Sequence, residues 1–132
     1  MNPAAIAVLV CLGECHRLMK EHAGNLRSLD NTSSVTHNTD IIPFEEALRL
    51  EEYVECELPD GNALSWCFET TIRLDKTLIE ADVRIIHSKG QDVIFTVADC
   101  EILDHSELKS KLLEVVNCIC DYYPNHDELA AY

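Results

Sequence analysis

Between Ala63 and Arg73 the chain alternates with little ambiguity. Leu64, Trp66, Phe68, Thr70 and Ile72 fall on one side, and Ser65, Cys67, Glu69, Thr71 and Arg73 on the other. A period of two fits a strand with one buried face, because only an extended backbone brings those five apolar or neutral side chains together. A sheet buried on one face needs further strands beside it and a second layer over it. The stretch therefore commits the chain to an antiparallel sheet covered by helices.

Three flanking turns extend the pattern. A tight Asp75-Lys76 turn sets Leu74 opposite Thr77, Ile72 by Ile79, Phe68 by Val83 and Trp66 by Ile85. Ser88-Lys89-Gly90, as a three-residue hairpin loop with Gly90 in the left-handed region, sets Ile85 by Val93, Val83 by Phe95 and Ala81 by Val97. Pro59-Asp60-Gly61-Asn62-Ala63, as a five-residue loop, brings Leu58 to Leu64, Cys56 to Trp66 and Val54 to Phe68. All three hairpins agree on one apolar face, and a slip of one residue in any of them would turn a strand over.

Outside the sheet, Asn2 as cap, Pro3 at the first helical position and Gly24 as stop predict an N-terminal helix. Its first half, Ala4 to Leu12, is apolar all round, has no Lys or Arg before it and is too short to span a bilayer. It reads as a buried helix that needs cover from the domain or from a second copy. The polar run that follows reads as a loop, and Pro43 opens a short helical turn from Phe44 to Leu50. Asp104 with Glu107 makes a capping box before Leu108, Leu112, Val115, Val116, Ile119 and Tyr123, which recur at helical spacing until Pro124. The expected fold is thus α+β and two-layer, a four-stranded antiparallel meander with N-terminal and C-terminal helices packed on one face. All 132 residues form one domain: helix 1–24, loop 25–43, short helix plus sheet 44–103, helix 104–124 and a fraying tail 125–132.

Charge limits the function. Twenty-four acidic residues against ten basic ones give −14, which repels phosphate backbones and anionic headgroups, so neither direct nucleic-acid binding nor membrane association is expected. Seven cysteines, an odd number without scaffold spacing, read as reduced thiols in a cytoplasmic setting. Cys11, Cys15 and His16 lie close on the first helix, but a structural zinc site needs four convergent ligands, and Cys118 and Cys120 diverge on theirs. The six histidines have no zinc-helix spacing, and there is no nucleophile elbow, phosphate loop or dinucleotide fingerprint. No metal, cofactor or catalytic residue is expected, and a monomer and a homodimer both stay open.

The polar side of the sheet is the informative part. The registers gather Tyr53, Glu55, Glu57, Glu69, Thr71, Glu80, Asp82 and Arg84 there, with Glu69 directly opposite Asp82. Like charges so placed cost about 0.2–1 kcal/mol. A solvated face that resists aggregation would mix Lys with Glu, and a carboxylate enzyme would use such a pair as acid and base. We take Tyr53, Glu55, Glu57, Glu69, Glu80 and Asp82 as a docking surface for a basic protein. In size, charge and layout the chain resembles bacterial toxin-immunity proteins of the contact-dependent inhibition kind. That resemblance implies no enzymatic activity and a nuclease toxin domain as partner. In size and charge the chain also resembles acidic, dimeric secretion chaperones.

Overall fold

The alternating stretch is the central strand of a five-stranded sheet. The computed structural model describes residues 3–29, 34–73, 75–102 and 107–132. Helix α1 (Pro3–Arg27) is followed by strands β1 (Ser34–Phe44), β2 (Ala47–Glu57), β3 (Ala63–Arg73), β4 (Thr77–His87) and β5 (Gly90–Ile102), then by helices α2 (Leu108–Cys120) and α3 (His126–Ala130). The strands pair antiparallel in chain order. α1 packs on β1, β2 and α2, while α2 packs on β3, β4 and β5, so both helices cover the same side of the sheet. The two-layer α+β architecture is as expected, with five strands rather than four.

The fifth strand is β1, where a loop over 25–43 was expected. The positions that register puts on the helix side, Val35, His37, Thr39 and Ile41, include two polar residues, and Ile41 is 65% exposed, so apolar alternation is no guide. Pro43 is tolerated because β1 is an edge. The short helix expected over 44–50 is instead a turn at Glu45-Glu46 and the start of β2, because Leu48, Leu50, Val54 and Cys56 bury better at period two.

Two hairpins slide by two residues relative to expectation. Trp66 lies opposite Val54 and Val83, and Glu69 opposite Glu80 rather than Asp82. The turns are the cause. The Leu58 N–H donates to the Asn62 carbonyl at 2.7 Å, with Gly61 at φ 91°, and the Arg73 N–H donates to the Lys76 carbonyl at 2.9 Å. A shift of two preserves the faces, so the apolar side stays apolar. Leu74 lies outside the described residues. Between β4 and β5, Val83 does face Phe95, but irregularities at Ala81/Asp82 and Val83/Arg84 put Val93 opposite Arg84 and Ala98 opposite Ala81. The connecting turn is Ser88-Lys89, with Gly90 already paired to His87 at φ 129°.

α1 runs past Gly24 because Ala23 and Leu26 continue its buried stripe of Cys11, Leu12, Cys15 and Met19. Burying a leucine outweighs the roughly 1 kcal/mol that glycine costs in a helix. α2 begins at Leu108 with Glu107 in the cap position, its side chain making no capping bond, while Asp104 lies outside the described residues. The expected tail instead folds into α3. There the Asn125 side chain accepts from the Glu128 N–H at 2.8 Å, and Glu128 in turn accepts from the Asn125 N–H at 3.2 Å. Cys11, Cys15 and Cys56 are buried free thiols, but Cys118 faces water on the side of α2 away from Val115, Val116 and Ile119. Among the described residues no helix is long and apolar enough to cross a membrane.

His22 sits inside the core against Trp66, and its Nε2 has no hydrogen-bond partner. Burial pushes its pKa down to about 4, against a weak upward pull from Asp121. The unfolded chain therefore takes the proton first. This part of the stability is complete above about pH 6.5 and falls by about 3 kcal/mol as pH drops towards 4. Urea midpoints measured across that range should show the loss in the parent chain and a shallower slope in His22→Gln. Parallel profiles would contradict it.

An acidic sheet face and a buried carboxylate

The side of the sheet away from the helices carries every candidate docking residue on three adjacent strands: Tyr53, Glu55 and Glu57 on β2, Glu69 on β3, and Glu80 and Asp82 on β4. Strand register fixes their order. Asp40 faces Glu51, Glu51 faces Glu69, Glu69 faces Glu80, and the backbone pairing continues to Asp99. A single row of acidic positions thus crosses all five strands, with rungs about 5 Å apart. Asp40 lies on the edge strand, whose polar sequence reads as a loop, and Glu51 lies in the first half of β2, where no clear apolar alternation marks the strand.

The counter-charges are few. Arg49 bridges Glu51 at 2.7 Å and Glu69 at 2.6 Å, and Arg84 holds Asp82 at 2.7 Å. Among the described residues, no ion pair engages Glu55 or Glu80. Partial burial raises the Glu69 carboxyl above its ordinary range. Arg49 pulls it back, while Glu51 and Glu80 push it further up. The Tyr53 hydroxyl points at Asp40, 3.5 Å away. Beside the row, a concavity of about 700 Å³ is lined by Phe44, Glu45, Glu46, Arg49, Arg73 and Leu78, together with Glu69 and Glu80. Five carboxylates, Glu45, Glu46, Glu69, Asp75 and Glu80, outnumber the two guanidinium groups, Arg49 and Arg73, in its lining.

A second polar cluster lies on the opposite, helix-covered side. Glu52 is 0% exposed on the inner face of β2, between Leu50 and Val54. Its Oε1 contacts His16 Nδ1 on α1, accepts from the Thr39 hydroxyl at 3.0 Å and lies 3.3 Å from His37 Nε2 on β1. The two imidazole centroids are 5.0 Å apart. Glu52 Oε2 is buried without a hydrogen-bond partner. The histidines look scattered in the sequence and meet only through the β1–β2 hairpin and the helix above it. One signal existed: in Leu48-x-Leu50-x-Glu52-x-Val54-x-Cys56 a carboxylate interrupts the core side of a strand. A scan against protein-family models, a search of curated proteins and a search of solved structures found no significant match to this chain.

Proposed function

We propose that the chain is a non-enzymatic, cytoplasmic binding protein whose outer sheet face neutralises a basic protein. The partner we favour is a nuclease toxin domain, as in immunity proteins of the contact-dependent inhibition kind. The row of acidic positions from Asp40 to Glu80 carries this reading. Like charges directly opposite one another weaken a sheet, and Arg49, which bridges Glu51 and Glu69, offsets only part of that repulsion. A nuclease must be basic to hold its substrate, so an acidic plate is drawn to the surface it has to block. The concavity beside the row gives such a plate a socket for a lysine or arginine.

The test is capture of the partner from the native host, followed by calorimetric titration of the isolated pair. Affinity should fall at least tenfold between about 0.05 and 0.3 M salt, as the screening length shortens. A neutral or acidic partner, or an affinity indifferent to salt, contradicts the reading.

One observation favours a second reading. Leu9 and Val10 on α1 are 50% and 63% exposed, which suits a dimer seam in an acidic secretion chaperone. Sedimentation decides here: a strict monomer at micromolar concentration removes it, and a dimer broken by Val10→Asp supports it.

A further inference from the structure

We propose that His16, His37 and Glu52 form a binding site for one divalent transition-metal ion of the zinc class. The site lies on the side of the sheet opposite the acidic row, so it is independent of the docking face. Three independent elements supply the ligands: α1 gives His16, β1 gives His37 and β2 gives Glu52. Their donor atoms all lie within 4.8 Å of one another. Ligand atoms around a tetrahedral zinc ion, each about 2.0–2.1 Å from it, are about 3.3 Å apart, so small side-chain rotations suffice to admit the ion. His37 Nε2 and Glu52 Oε1 already have that separation, at 3.3 Å.

Burial supplies a second, separate reason. Taking an ionised carboxylate out of water costs several kcal/mol unless it is compensated. Glu52 is fully buried, and one of its two oxygens has no partner. A divalent cation is the strongest compensating charge available, and binding could use either oxygen. Access is also present, because the His16 side chain is 48% exposed while that of His37 is 11% exposed, so an ion enters past His16. That open side leaves a fourth coordination position to water. The Thr39 hydroxyl, bonded to Glu52 Oε1, orients the carboxylate from outside the ligand set. Two imidazole nitrogens and one oxygen select zinc or cobalt over calcium and magnesium, which take oxygen ligands.

The full-length, metal-stripped chain is titrated with Zn²⁺ by calorimetry and with Co²⁺ by visible absorption. One ion per chain is expected, with cobalt bands of a nitrogen-and-oxygen site, no thiolate charge-transfer band and no displacement by excess Mg²⁺. His16→Ala, on the half-exposed outer side of the cluster, and Glu52→Gln should each weaken binding at least about tenfold. Circular dichroism shows whether each variant folds, and His16→Ala, which alters only the half-exposed ligand, keeps the test decisive if Glu52→Gln does not. Absence of stoichiometric binding, a thiolate band, displacement by Mg²⁺, or unchanged affinity in His16→Ala or in folded Glu52→Gln overturns the site.

Discussion

Replacing Glu55 and Glu80 by lysine together should slow capture of the basic partner about 10- to 100-fold at low salt, with most of the difference gone at about 0.5 M. The double variant changes four units of charge on a face where neither residue has an ion-pair partner among the described residues, so no existing bridge is broken. Its folding should improve. Lysine at position 80 faces Glu69, which turns a repulsive rung into an attractive one worth about 0.2–1 kcal/mol. A protein that is more stable and binds more slowly separates the role of the row from any role in holding the sheet together. Stopped-flow association rates and urea midpoints on the same preparations check both halves. An unchanged association rate contradicts the docking face, whereas a fall in stability means that the row contributes to folding.

Trp66→Ala should destabilise the fold by about 3–5 kcal/mol, a large part of the 5–15 kcal/mol typical of a domain. Trp66 is 1% exposed at the centre of the inner face. Its ring meets His22 edge-on at 4.7 Å and Tyr123 at 6.2 Å, and its indole N–H donates to the Tyr122 carbonyl at 2.9 Å. Tyr122 in turn stacks on Phe95 at 4.0 Å. The tryptophan thus joins the middle strand to the segment that leaves α2, and its removal opens a cavity and strands a carbonyl. Trp66→Phe keeps an aromatic ring but loses the hydrogen bond and part of the packed volume, for about 1–3 kcal/mol. Far-UV circular dichroism in urea ranks the three proteins, and a cost below about 1 kcal/mol for Trp66→Ala contradicts this account.

What was legible in the sequence follows the strength of the apolar pattern. β3 and β4 alternate so clearly that their faces came out correctly even where the turns moved the register by two residues, because an even slip leaves every side chain on its own side. The outer acidic residues on those strands were therefore placed on the right face, although Glu69 meets Glu80 and not Asp82. β1 was missed because His37 and Thr39 occupy positions where an apolar residue would announce a strand. The start of β2 was missed for a related reason: Glu52 sits on its buried side. These two gaps hid both Asp40 and the His16–His37–Glu52 cluster. Polar residues on a core-facing side leave no period to detect, and their meaning depends on partners brought in from elsewhere in the chain.

Because each strand lies beside the one that follows it in the chain, the sheet can be laid down in the order of synthesis. The two helices that cover it flank the strands in the chain, α1 before them and α2 after. The apolar stripe of α1 emerges first and has nothing to lie against until β1 and β2 exist, and α2 arrives only after the last strand. A chain emerging from synthesis therefore presents all five strands before α2 can cover the inner face around Phe68 and Val83.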